Sequence, residues 1–153
     1  IVGSTEMIGI FDNNFDTICL AVGTGGTMVG VSRSLNKDQK LLGFLSVNDS
    51  SRSEYILNCI NSSVNYELIN EFNFGGFGKF NNELIIFINS FKKKYKIPLD
   101  PIYTGKVLFG IFTLINNHNW RWGKNILFIH TGGLQGIDGF NFLQEKKSGL
   151  LLK

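Results

Sequence analysis

Three observations make this sequence that of an α/β domain on a largely parallel sheet. Short apolar runs suited to buried strands alternate with longer stretches of helical period along all 153 residues. Glycine is frequent, at 18 residues, and clusters where strands give way to helices or loops. Hydrophobic residues make up 43% and charged residues 18%, enough for one core and too apolar for a disordered chain.

Residues 1–16 read as a loop and a poorly formed helix. Thr17 to Val22 (TICLAV) is a continuous apolar run, the pattern of a strand covered on both faces, and it ends in Gly23-Thr24-Gly25-Gly26-Thr27. A helix follows to about Leu35, then a second strand over 41–47. Ser51-Arg52-Ser53-Glu54 has the capping-box pattern, and Tyr55, Ile56, Cys59 and Ile60 continue it as a helix. Residues 66–69 form a short strand, and the polar, aromatic, glycine-rich stretch 70–78 a loop. Phe80, Leu84, Phe87, Ile88, Phe91 and Tyr95 repeat at helical spacing, ended by Pro98 and Pro101. Thr104 is placed to cap a helix reaching Asn117, apolar nearly all round and so buried. Residues 126–129 are the last clear strand, followed by Thr131-Gly132-Gly133. With no repeat, low-complexity tract or linker, the chain is one domain or part of one.

Composition excludes several classes. A net charge of +3 is too small for a nucleic-acid surface, and Lys92-Lys93-Lys94 sits where it complements a helix C-terminus. No apolar run approaches the ~18 residues of a membrane span. Cys19 and Cys59 lie in apolar segments and read as free, buried thiols, which fits a reducing, cytoplasmic setting. No C-x-x-C or Cys/His cluster points to a metal. No signal peptide is read at the start, and the first residue, Ile1, suggests a processed, truncated or fragmentary chain.

A buried strand running into Gly-Thr-Gly-Gly-Thr and then a helix suits phosphate. Glycines let the backbone approach an anion, and amides of the turn point at it. Thr24 and Thr27 add hydroxyl donors. A dinucleotide fingerprint starting at Gly23 needs glycine where Met28 stands, and a Walker loop needs a Gly-Lys-Ser/Thr ending that is absent. A ligand-free tight turn is the structural alternative. Tyr103, just before a helix, can serve as acid, base or positioning group, or simply pack there. His130, at a strand end, reads by itself as a hydrogen-bonded core histidine. Lys106 lies in the first helical turn, and that position alone does not make it a nucleophile.

Three segments together resemble the D-cysteine desulfhydrase / 1-aminocyclopropane-1-carboxylate deaminase family, of the tryptophan synthase beta-like, pyridoxal-phosphate fold type II group. They are Ala21-Val22-Gly23-Thr24-Gly25-Gly26-Thr27, Leu99-Asp100-Pro101-Ile102-Tyr103-Thr104-Gly105-Lys106 and Ile126-Leu127-Phe128-Ile129-His130-Thr131-Gly132-Gly133. Gly3-Ser4-Thr5-Glu6 is similar to the end of a further family segment. The resemblance implies a three-layer but incomplete fold, residues 1–153 being the C-terminal part of the cofactor domain. It implies pyridoxal 5'-phosphate held at Thr24, Gly25, Gly26 and Thr27, with Thr104, Thr131 and Gly132 also around the cofactor and the two threonines near its pyridine nitrogen. Tyr103 would be catalytic, assisting proton transfer at a small amino-acid substrate. The family's Schiff-base lysine belongs to an N-terminal half outside this chain, and Lys106 is not that lysine. A homodimer is implied for the full-length protein.

The deaminases that resemble this chain carry Glu after the tyrosine and usually an apolar residue after the histidine. Thr104 and Thr131 here resemble desulfhydrase members instead. A hydroxyl favours protonation of the pyridine nitrogen less than a carboxylate does, which is compatible with β-elimination. Three functional readings stand together: part of a lyase or deaminase, a non-catalytic phosphate- or cofactor-binding fragment, and an inactive truncated remnant. The family fold also implies an exposed apolar sheet edge where strands of the other half are missing.

Overall fold

The computed structural model describes residues 14–48 and 50–153 and, singly, Gly3 and Glu6. The loop and helix expected over residues 1–16 and the Gly3-Ser4-Thr5-Glu6 segment therefore fall mostly outside the described residues. Four strands, β1 (Thr17–Val22), β2 (Lys40–Leu45), β3 (Asn65–Ile69) and β4 (Ile126–Phe128), form one sheet in the order β3-β2-β1-β4. All three pairings are parallel, with Ala21 opposite Phe44 and Cys19 opposite Phe128. Among the described residues the α-helices are, in chain order, α1 (Gly26–Ser32), α2 (Ser50–Cys59), α3 (Asn82–Tyr95), α4 (Thr104–Asn116) and α5 (Ile137–Glu145).

The period-2 alternation of the strands sorts their side chains into two cores. Cys19 and Ala21 of β1 join Leu42 and Phe44 of β2 against Leu84, Ile85 and Ile88 of α3 and Val107, Leu108 and Ile111 of α4. Ile18, Leu20 and Val22 point the other way, with Leu41 and Leu45, against Met28 and Val31 of α1 and Ile56 of α2. The fold is thus a three-layer α/β with a parallel sheet. Both faces of β1 are covered, which is why its six residues are apolar without alternation. β4 is an outer strand of the sheet, and its three residues are half-buried.

Element boundaries shift by up to three residues. Helix α1 stops at Ser32, before Leu35, because Arg33 and Ser34 turn their amides back to Gly30 and Val31. Strand β2 ends at Leu45 and β4 at Phe128. Helix α2 begins at Ser50, so Ser51 of the expected capping box lies inside its first turn, and the side chains of Arg52 and Ser53 are outside the described residues. Asn81 caps α3 by accepting from Leu84 N at 2.9 Å, and Lys92, Lys93 and Lys94 fill its last turn. Within the expected apolar stripe of α3, Leu84 and Ile88 are buried, whereas Tyr95 is 43% exposed and rests on Phe91. Helix α4 is buried along most of its length, but its end emerges at Ile115. Helix α5 is absent from the sequence reading. Ile137 and Phe140 pack its inner side on the first core, while Phe142 and Leu143 face outward. Cys19 is a free thiol buried in the first core, as expected, but Cys59 is only half-buried. Burial pushes the Cys19 thiol well above its usual range. No helix of the described residues is long and apolar enough to cross a membrane.

A polar strap, residues 118–125, crosses the edge of the sheet where the strands begin. Asp16 accepts from Lys124 N and Asn125 N, and the Thr17 hydroxyl donates to Trp122 O. Glu67 on β3 takes Trp122 Nε1 at 2.9 Å and Arg121 at 2.7 Å. The two backbone bonds from Asn125 and Lys124 lower the Asp16 pKa. Burial pushes Glu67 up, but the Trp122 bond and the Arg121 and Lys40 charges outweigh it and lower its pKa. For carboxylates lowered on folding, the stabilisation is present above their ordinary values of 3.8 and 4.5 and fades as pH falls through the lowered ones. Tryptophan fluorescence followed from neutral pH into acid is therefore expected to report the strap loosening below about pH 4. Asp16→Asn together with Glu67→Gln should remove that transition. An acid transition unchanged in the double variant would contradict the assignment.

Candidate active site

The opposite edge, where the parallel strands end, gathers four loops: 23–25 after β1, 46–48 after β2, 70–79 after β3 and 129–133 after β4. This is the edge at which α/β sheets bind ligands.

The first loop is built by glycine. Gly25 has φ +89°, and a Cβ there would stand 2.8 Å from Ile56 Cγ1. Its carbonyl opens α1 by accepting from Val29 N at 3.0 Å. The amides of Gly26 and Thr27, in the first turn, have no acceptor within the helix. Ser46, whose amide donates to Val22 O beside this turn, has a buried hydroxyl without a partner among the described residues. Gly23 lies under the Tyr103 ring, and a Cβ on it would come within 3.1 Å of Tyr103 Cε1.

Tyr103 is held by Asp100. The buried Asp100 carboxylate accepts Ile102 N (2.8 Å), Tyr103 N (2.7 Å) and Thr104 N (2.9 Å), and takes the Thr104 hydroxyl at 2.5 Å. The Thr104 hydroxyl in turn accepts from Asp100 N. The cap of α4 is therefore Asp100, not Thr104 as the sequence suggested. Thr104 is the first helical residue and fully buried. A carboxylate outcompetes a hydroxyl for several amide donors at a positive helix end. Tyr103 itself is half-buried, its ring packed against the first core and beside Gly23.

The last loop is fixed by His130. Its Nε2 donates to Pro98 O at 2.9 Å while Nδ1 accepts Gly132 N at 3.2 Å, so the two bonds together place the proton on Nε2. His130 is hydrogen-bonded as expected but half-buried rather than a core residue, and its bonds shape the Gly132-Gly133 turn, where both residues have positive φ.

The turn after β1, Tyr103 and the turn after β4 border an open cavity of about 320 Å³, lined by Gly23, Thr24, Gly25, Thr27, Tyr103, Thr131, Gly132 and Gly133, with Ala21, Met28 and Gln135. Six of the eight residues singled out from sequence meet there. Gly26 stands just behind Thr24, and Thr104 lies beneath, its hydroxyl committed to Asp100. Gln135 was missed because it sits on a single 3-10 turn, Leu134–Gly136, too short for any periodicity. Lys106 does not line the cavity. Its Nζ points to the 70–79 loop and donates to Asn73 O and Gly76 O, each at 2.8 Å. Among the described residues no cluster of His, Cys, Asp or Glu could hold a metal ion.

A glycine turn, a tyrosine and a second glycine turn thus border one cavity at the C-terminal edge of a parallel sheet. The chain is homologous to part of the 1-aminocyclopropane-1-carboxylate deaminase / D-cysteine desulfhydrase family. It is 34% identical over 143 residues to a protein of Pyrococcus abyssi described as a "putative 1-aminocyclopropane-1-carboxylate deaminase", covering 85% of this chain and 42% of that one. It is 34% identical over 137 residues to the mitochondrial bifunctional D-cysteine desulfhydrase/1-aminocyclopropane-1-carboxylate deaminase of Arabidopsis thaliana, covering 82% and 34% respectively. A crystal structure of a deaminase homologue superimposes with a TM-score of 0.75 at 30% identity, over 95% of this chain and 46% of that one. The chain thus spans less than half the length of these relatives. No protein-family model matches it.

Proposed function

We propose that this chain is the C-terminal part of a pyridoxal-phosphate-dependent enzyme acting on a small amino acid, by β-elimination in preference to ring-opening deamination. The observation that carries the reading is the convergence of the 24–27 turn, Tyr103 and the 131–133 turn on one cavity. The residues fit the cofactor's phosphate. The cavity's 320 Å³ lies at the lower end of the ~300–1,000 Å³ of small-ligand pockets, and its wall offers backbone amides and threonine hydroxyls rather than carboxylates. When bound, the cofactor supplies an electron sink for charge developed at the substrate's Cα.

The chain's own residues do the rest. Amides of residues 24–27, with the Thr24 and Thr27 hydroxyls, hold the phosphate. Gly23 leaves room for the Tyr103 ring to approach the turn, and Asp100 fixes the backbone from which it projects. The Tyr103 hydroxyl holds or moves a proton beside the substrate. Thr131 and Gly132 would border the cofactor's ring. Thr104 lies outside the cavity lining with its hydroxyl taken up by Asp100, so it would act by holding the Asp100 turn that carries Tyr103. The lysine that anchors the cofactor, the carboxylate-binding loop, the homodimer contact and the cytoplasmic setting belong to the proposal for the full-length protein. The second reading, a phosphate-binding fragment without catalysis, draws on Lys106 being tied to backbone carbonyls rather than facing the cavity.

In a protein that joins this chain to its cofactor-anchoring half, Tyr103→Phe is expected to lower sulfide release from D-cysteine by about 10²–10⁴-fold, with cofactor absorbance unchanged. Retention of full activity would remove Tyr103 from the mechanism. Turnover of 1-aminocyclopropane-1-carboxylate but not of D-cysteine would reverse the choice of reaction.

A further inference from the structure

Lys106 breaks two local rules at once. It is 1% exposed, and it sits in the first turn of α4, where the helix end is already positive. Burial pushes its pKa down to about 8, against the opposing pull of the Asp100 carboxylate. Such a placement needs a compensating role.

Its partners supply one. The loop 70–79 contains three successive tight turns, closed by Asn73 N to Asn70 O (3.4 Å), Gly76 N to Asn73 O (3.0 Å) and Lys79 N to Gly76 O (3.2 Å). Lys106 Nζ donates to the last two of these carbonyls, so one ammonium ties the second and third turns to α4. The loop carries positive φ at Phe74, Gly75, Gly76 and Gly78, and its own bonds include Asn73 Nδ2 to Asn70 Oδ1 (2.6 Å) and Gly75 N to Asn73 Oδ1 (2.7 Å), so Lys106 adds the tie from this loop to the helix. Phe72 and Phe74 anchor its first half on Phe109 of α4. Phe77, in the second half, is 60% exposed and meets the Tyr103 ring edge-on, centroids 6.1 Å apart.

We propose that Lys106 is a positioning residue that pins the 70–79 loop so that Phe77 sets the pose of the Tyr103 ring over the cavity. The pinning stands on its own geometry, and its value to catalysis rests on the role given to Tyr103 above.

The test is nuclear magnetic resonance on the whole chain, comparing wild type with Lys106→Met, Lys106→Arg and Phe77→Ala. Lys106→Met is expected to speed amide exchange at Gly76 and Lys79 by about tenfold or more, leave the Cys19 and Leu42 amides unchanged and shift the Tyr103 ring signals. Lys106→Arg, which can still donate to both carbonyls, should restore most of the protection. Phe77→Ala should shift the Tyr103 ring signals and leave Gly76 exchange as in wild type. Unchanged Gly76 exchange in a folded Lys106→Met chain would overturn the proposal, and so would unmoved Tyr103 signals in Phe77→Ala. If Lys106→Met does not fold, the Phe77→Ala result decides. Pyridoxal phosphate titrated into the wild-type sample separates the two readings. Absent binding ends the reading of the cavity and leaves the loop result standing.

Discussion

Asp100→Ala is expected to destabilise the chain by about 3–5 kcal/mol, the range for removing one member of a buried charged network. The side chain is 2% exposed and satisfies three amides and a hydroxyl at the start of α4. Without it those donors stay buried, at about 1–3 kcal/mol for each one left unmet, partly offset by local relaxation. Lys106 also loses the carboxylate that opposes its desolvation. Against a total stability of about 5–15 kcal/mol, the loss is a large fraction. Urea unfolding should show a lower midpoint at unchanged slope. Asp100→Asn keeps one acceptor oxygen and should fall between. A cost under about 1 kcal/mol for the alanine variant would mean that Asp100 is not the cap.

Gly25→Val should have the largest effect on ligand binding. A β-branched residue at φ +89° is strained by about 1–3 kcal/mol. Its side chain also meets the buried Ile56, and overpacking of that kind costs about 1–3 kcal/mol more. The turn can relieve both only by moving, which displaces the amides of Gly26 and Thr27. A folded Gly25→Val chain is therefore expected to lose measurable affinity for pyridoxal phosphate and for inorganic phosphate. Wild-type affinity in that variant would place the phosphate elsewhere.

Much of this was legible in the sequence because the responsible residues act locally. The apolar run of β1 announces a strand covered on both faces, and Gly23 to Thr27 announces a turn that only glycine can make. The parallel sheet followed from the alternation of elements. What was not legible depends on contacts between distant segments. Asp100 competes with Thr104 for the cap, and the choice depends on how the Asp-Pro turn folds back. The sequence places Lys106 in the first turn of a buried helix without showing its partners, the Asn73 and Gly76 carbonyls some thirty residues earlier. Helix α5 was missed because Asp138, Gly139 and Asn141 interrupt its pattern, and it gains order from Ile137 and Phe140 on the core and from Asn141 bonding Leu152. The cavity itself could be anticipated only as a set of segments. The sheet is what brings Thr24, Tyr103 and Thr131 to the same edge.

The proposed function requires this chain to hold the cofactor's phosphate without its covalent anchor. The most direct measurement is the absorption spectrum of the purified chain with pyridoxal phosphate, before and after borohydride, with inorganic phosphate as competitor. The account predicts saturable binding relieved by phosphate, lost in Gly25→Val, and no lysine fixed by borohydride. Reduction onto Lys106 would contradict the account, since it would require that side chain to leave Asn73 and Gly76 and face the cavity.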